Sequence, residues 1–71
     1  MTTQPLDIEI GRKGRREASF KATADPANPK ELRDILRSWL TGNKWAKGHW
    51  ASFEAVAFAE GTWTEVGRVR A

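Results

Sequence analysis

The sequence predicts a small single α+β domain with the order strand-strand-helix-strand-strand, in which one helix packs on one sheet. Two N-terminal segments carry apolar residues at every second position, a central segment carries them at helical spacing, and a C-terminal segment is rich in strand formers. A chain of 71 residues provides at most one domain with a thin core. We expect residues 6–71 to form this domain and residues 1–5 to be a flexible N-terminal tail.

Alternation predicts the first two strands. Every second residue from 6 to 10 and from 18 to 24 is apolar, and glycines lie between the two segments, so a hairpin is expected. Because the apolar residues must share one face, the numbers of paired residues must have an even sum. A sum of 28 also places Asp7 opposite Lys21, which is a favourable cross-strand pair. A sum of 26 is the close alternative.

A helix is predicted over residues 29–41. Asn28 is a favourable N-cap, Pro29 suits the first helical position, and Glu31 stands where a capping box requires it. Gly42 is the expected C-cap glycine. One face of this helix is apolar, with the spacing i, i+3, i+4, i+7 and i+8: Leu32, Ile35, Leu36, Trp39 and Leu40.

The C-terminal third is less regular. Residues 43–50 show no clear period and predict a loop with room for one helical turn. Residues 52–59 fit a strand or a second helix, and the turn signal after them favours a hairpin. A two-residue turn there pairs Phe58 with Trp63. We expect Trp63 to lie in the core or on half-exposed sheet surface. Gly67 indicates a bulge.

The element order is similar to the β-grasp arrangement of ubiquitin-like proteins over most of the chain. The resemblance implies a last strand that lies beside the first and parallel to it. Arg68 and Arg70 then come close to the end of the first strand, whereas an antiparallel last strand places them near Leu6. Residues 68–71 lack the paired-glycine tail used for conjugation, so no function is transferred from this family.

Positive charge is concentrated in residues 11–16. The chain has a formal net charge of +3, and this run alone contributes +4, which leaves −1 for the remaining residues. At a hairpin tip, such a run fits either a phosphate-binding arm or an ordinary solvated turn. On the first interpretation, the nucleic-acid-binding residues are Arg12, Lys13, Arg15, Arg16, Arg68 and Arg70.

A second candidate surface follows the helix. Tryptophan interleaved with basic residues fits base stacking or the anchoring of a protein partner. Alternatively, Trp45 and Trp50 close the open edge of a small core, and Trp39 belongs to the core through its place on the apolar helix face. The contact residues on this surface are Lys44, Trp45, Lys47, His49 and Trp50.

Composition argues against several classes of protein. There is no cysteine and one histidine, and no acid pair or phosphate-cradling glycine loop is evident, so we expect no enzyme activity, no metal and no cofactor. The N-terminal residues lack the features of a signal peptide, and the mostly apolar stretch 53–59 is far shorter than the roughly 20 residues of a membrane span. We therefore expect a cytoplasmic protein without a membrane partner.

Two functions remain on the sequence alone. The leading one is a small protein that binds DNA or RNA through its basic hairpin tip. The alternative is a protein-interaction module or small inhibitor that uses the tryptophan-rich loop or a sheet edge. The sequence indicates neither the type of nucleic acid nor the oligomeric state.

Overall fold

A computed structural model describes residues 3–71. The elements are strands β1 (Gln4–Arg12) and β2 (Arg15–Ala24), helix α1 (Pro29–Gly42), a 3-10 helix (Lys47–Ser52), and strands β3 (Phe53–Ala59) and β4 (Glu65–Arg70). One helix on one four-stranded sheet confirms the predicted α+β class, and residues 53–59 form a strand rather than a second helix. Residues 4 and 5 belong to β1 rather than to the expected tail. Residues 1 and 2 of that tail lie outside the described residues.

The strand order is β2-β1-β3-β4, and every neighbouring pair is antiparallel. The arrangement is therefore not that of a β-grasp fold, because β3 rather than β4 lies beside β1. Because β1 is antiparallel to β3, and β3 is antiparallel to β4, β4 runs in the same direction as β1. The last residues of β1 and β4 consequently lie at the same end of the sheet, two strand spacings or about 10 Å apart.

The β1–β2 hairpin has the predicted register. Ile8 pairs with Phe20 and Asp7 with Lys21, as the sum of 28 requires. A bulge after Ile10 then shifts the ladder by one residue. At the tip, Lys13 and Gly14 have φ angles of 54° and 78°, the positive values of the hairpin turns whose twist matches that of the strands.

The core lies between α1 and one face of the sheet, here called the helix face. Leu32, Leu36 and Leu40 of α1 are buried against β1, β3 and Val69 of β4. The helix lies across β3 and β4, since the connection after β2 crosses the sheet. A Cβ added to Gly67 would lie 2.7 Å from Leu32 Cδ1 and 2.9 Å from the backbone oxygen of Pro26. Gly67, which adjoins a bulge in the β3–β4 ladder, thus permits this close approach.

The N-terminus of α1 has the predicted N-cap residue but not the predicted capping box. The side chain of Asn28 accepts a hydrogen bond from the backbone nitrogen of Lys30 at 3.1 Å. Glu31 does not complete the reciprocal capping box. Its carboxylate instead accepts hydrogen bonds from the backbone nitrogen of Asp25 and from the side-chain amide of Asn28. Glu31 therefore attaches the loop between β2 and α1 to the first turn of the helix.

The C-terminus of α1 differs from the prediction that Gly42 is its cap. Gly42 is the last helical residue, and Lys44 takes the left-handed conformation with φ 61°. The nitrogen of Lys44 donates to the oxygen of Thr41, and that of Trp45 donates to the oxygen of Leu40. These two bonds form a Schellman motif, with lysine at the position where glycine is usual.

The connection between β3 and β4 is longer than the predicted two-residue turn, so the pairing of Phe58 with Trp63 is wrong. Phe58 pairs with Glu65, and residues 60–64 form the turn. The hydroxyl of Thr62 donates to the oxygen of Ala59 and accepts from the nitrogen of Thr64. Side-chain bonds of this kind offer the backbone an alternative to the strand ladder.

Candidate functional site

The face of the sheet opposite α1, here called the open face, carries a groove of about 560 Å³. The groove lies at the end of the sheet where β1 and β4 finish and β3 begins. Its lining contains every residue of the predicted nucleic-acid-binding set: Arg12, Lys13, Arg15, Arg16, Arg68 and Arg70.

The sheet topology explains how two distant segments reach this groove. Arg70 pairs with Glu54 on β3, and Glu54 pairs with Gly11 on β1. Arg70 and the hairpin tip are thus at the same level of the sheet. The expected convergence of Arg68 and Arg70 with residues 11–16 occurs through the intervening strand β3, and not through direct pairing of the last strand with the first.

Positive charge exceeds negative charge in the groove. Its lining holds six basic residues against the carboxylates of Glu9 and Glu54, an excess of four positive charges. Arg16 pairs with Glu9 at 3.3 Å. Arg68 pairs with Glu54 and with Glu65, each at 3.0 Å. The hydrogen bond with Glu65, together with both carboxylate charges, raises the pKa of Arg68 above its usual value.

Three of the basic side chains are not neutralised in this way. Within residues 3–71, no carboxylate lies within 4.0 Å of the charged groups of Lys13, Arg15 or Arg70. All three residues are exposed. They are therefore the cations that an external anion can contact without displacing an internal partner.

Arg12 is held differently from its neighbours. Its guanidinium carbon lies 4.6 Å from the ring centroid of Trp45 and 5.4 Å from that of Phe53. Glu17 lies 3.9 Å from its Nε. These contacts attach the base of the hairpin tip to the end of the core.

The tryptophan-rich segment packs onto the same end of the core. The ring of Trp45 contacts Phe53, with 5.0 Å between centroids, and lies 5.9 Å from the ring of His49. The indole nitrogen of Trp50 donates to the backbone oxygen of Trp45 at 3.1 Å. Trp45 and Trp50 are half-buried, so their rings close the core. Three other residues of the predicted contact set are exposed: Lys44, Lys47 and His49.

The open face also has an aromatic part, which the residue pattern alone does not place there. Val56 and Phe58 line the groove, and the Trp63 ring meets the Phe58 ring edge to face, with 5.6 Å between centroids. The alternation of β3 contains the signal for this placement. Ala55 and Ala57 are buried on the helix face, so Val56 and Phe58 must point to the other side.

Two further findings concern the part of the chain that the structure describes. It contains no group of three or more histidine, cysteine or acidic residues that could hold a metal ion. None of its helices is long and apolar enough to cross a membrane. The absence of enzyme activity and of a cofactor stays a prediction from the sequence.

No protein-family model, curated protein or solved structure matches this chain significantly.

Proposed function

We propose that this protein binds nucleic acid through the phosphate backbone, in the groove at the basic end of the open face. One observation carries the proposal. Two segments far apart in the chain, residues 12–16 and 68–70, contribute six basic residues to the lining of one groove. Neutralising phosphates with such side chains releases condensed counterions, which is the main source of affinity in binding that does not depend on sequence.

Lys13, Arg15 and Arg70 make the primary contacts in this proposal. They have no internal ion pair within residues 3–71, so they keep their full charge for a ligand. Arg16 and Arg68 contribute less to the binding free energy, because each must exchange a carboxylate partner for a phosphate. Arg12 acts mainly by fixing the base of the tip through Trp45.

The backbone at the tip also supports a functional role. Lys13 has a positive φ of 54°, a conformation in which asparagine or glycine is preferred. Lysine at this position goes against the local conformational preference and places an exposed cation in the turn of the hairpin.

The test is a salt titration of binding to fluorescent oligonucleotides, followed by anisotropy. Contact with three to six phosphates predicts that the logarithm of the association constant falls with the logarithm of salt concentration, with a slope between about −2 and −5. The variant R15Q/R70Q should weaken binding and make the slope shallower by about two.

The matched control is K30Q/R37Q, which removes the same charge from exposed positions on α1. It should leave both affinity and slope close to those of the unmodified protein. Equal weakening by the two double variants would show that net charge, and not the groove, determines binding. An absence of binding at low salt would overturn the proposal.

A further inference from the structure

We propose, on the basis of the proposed function, that the ligand is single-stranded nucleic acid whose bases stack on Phe58 and Trp63. Trp63 is 76% exposed and is the one exposed large hydrophobic residue among residues 3–71. Its position on the β3–β4 turn places the indole beside the open face. An indole in this position adds nothing to the core, whereas unpaired bases stack favourably on such rings.

The aromatic pair and the basic residues belong to one surface. Phe58 lines the same groove as the six basic residues. The four residue steps of β3 from Glu54 to Phe58 span about 14 Å, at 3.4 Å per step. A short single strand can therefore place its phosphates against Lys13, Arg15 or Arg70 while its neighbouring bases reach Phe58.

The chemistry favours a single strand over a duplex. In a duplex the bases are stacked on one another, so their faces are closed to a protein ring. Open sheet faces with exposed aromatic side chains stack two or three unpaired bases in other binding modules. The open face combines such rings with cations that can follow the backbone, which is the pairing of features that single strands require.

The test compares a single-stranded DNA, the RNA of the same sequence and the corresponding duplex. Trp63→Leu should weaken binding of the single strands by about tenfold and leave the duplex nearly unchanged. Trp63→Phe keeps an aromatic ring and should retain most of the affinity. Because Trp63 is exposed, the melting temperature of both variants should stay unchanged, and Phe58→Leu provides a second variant with the same expected loss.

The outcomes separate this inference from the proposed function. If R15Q/R70Q weakens binding but W63L and F58L do not, the stacking proposal is wrong and the phosphate-binding proposal stands. If no nucleic acid binds, both fail. Tighter binding of the RNA than of the DNA of the same sequence, at equal salt concentration, identifies RNA as the preferred ligand, and the reverse identifies DNA.

A different observation, the half-exposed apolar row of β2, leads us to infer that two copies of the chain pair through β2. This strand is an outer strand of the sheet. On the helix face, α1 covers β3 and β4 and leaves a second groove of about 500 Å³ beside β2. Its apolar lining is Phe20, Ile35 and Trp39.

Charge complementarity selects one register for a two-fold pairing of β2 with itself. In this register the numbers of opposing residues add up to 38. Glu17 of each copy then lies opposite Lys21 of the other, and Ala18 lies opposite Phe20. A sum of 36 opposes Arg15 to Lys21, which are like charges. A sum of 40 leaves Glu17 and Lys21 opposite uncharged residues. Both side chains already have an ion-pair partner, Lys21 in Glu60 at 3.6 Å and Glu17 in Arg12 at 3.9 Å, so the new contact exchanges these pairs for one between the two copies.

The paired molecule has one eight-stranded sheet. A two-fold axis perpendicular to the sheet keeps both helices on one side and both open faces on the other. The rows that contain Phe20 in the two copies then lie side by side on the helix face, and the unpaired backbone groups of β2 find partners.

Sedimentation over a range of protein concentrations tests this pairing. E17K and K21E each create a like-charge contact and should shift the dimer towards monomer, whereas the exchange E17K/K21E should restore the dimer. A protein that is monomeric throughout overturns the proposal. A dimer that does not respond to these variants overturns it too, since it must form through another surface.

Discussion

The guanidinium group of Arg12 lies over the ring of Trp45, with 4.6 Å between the guanidinium carbon and the ring centroid. This contact joins the hairpin tip to the segment that follows α1. The hairpin tip and the tryptophan-rich segment, which the sequence predicts as two separate candidate surfaces, therefore form one structural unit. Within it, Trp45 and Arg12 hold the end of the core, and the residues beyond Arg12 project outwards.

Replacement of Arg12 by glutamine should lower the free energy of unfolding by about 0.5–2 kcal/mol, because the cation–π contact with Trp45 is lost. Arg15→Gln removes the same charge from the same tip without such a contact, so its effect on stability should be close to zero. Chemical denaturation of both variants measures the difference. Equal stability of the two variants would contradict the anchoring role of Arg12.

Trp45→Ala should destabilise the protein by about 2–4 kcal/mol, since it removes a large ring packed against Phe53. In a domain of this size each kcal/mol lowers the melting temperature by about 4–8 °C. Trp63→Ala, at the exposed turn, should change the melting temperature little. Thermal unfolding followed by circular dichroism compares them, and the anchoring interpretation fails if Trp63→Ala proves the more damaging change.

Lys13→Asn should separate stability from binding. Asparagine tolerates the positive φ of this turn position better than lysine, so the free energy of unfolding should rise by a few tenths of a kcal/mol to about 1 kcal/mol. The same variant removes a cation of the groove and should weaken nucleic-acid binding. Denaturation and anisotropy measurements on one preparation check both effects. A variant that is more stable and binds equally well would remove Lys13 from the proposed site.

Gly67→Ala should destabilise the protein by about 1–3 kcal/mol, because the added methyl group meets Leu32 and the backbone of Pro26. A backbone oxygen cannot move aside as a flexible side chain can. Gly48→Ala is the matched control, since a Cβ at that position has no neighbour within 4 Å. Urea unfolding should show a loss for the first variant and little change for the second.

Local patterns predicted the elements whose constraints lie close together in sequence. The alternation of β1 and β2, with the charges of Asp7 and Lys21, was sufficient for the hairpin register. The apolar stripe and Asn28 were sufficient for α1 and its beginning. In each case a shift by one residue would have moved apolar side chains into water, so the pattern allowed few alternatives.

The remaining features depend on contacts between distant residues or on local competition that a pattern does not reveal. Nothing in β1 indicates that β3 rather than β4 is its neighbour, because both are short strands with suitable residues. The Schellman motif at Lys44 and the hydroxyl bonds of Thr62 replaced the expected roles of Gly42 and the two-residue turn. The convergence of the basic residues in one groove followed from this topology and could not be derived from charge alone.

The central position of β1 in the sheet has a consequence for how the chain folds. The β1–β2 hairpin closes across a two-residue turn, whereas the pairing of Arg12 with Phe53 closes a loop of roughly 40 residues. Loop closure of that length costs more entropy and must precede the contacts that reward it. We therefore expect the docking of β3 to limit the folding rate. Until that step, the inner edge of β1 stays open, although the hairpin and the helix can already form.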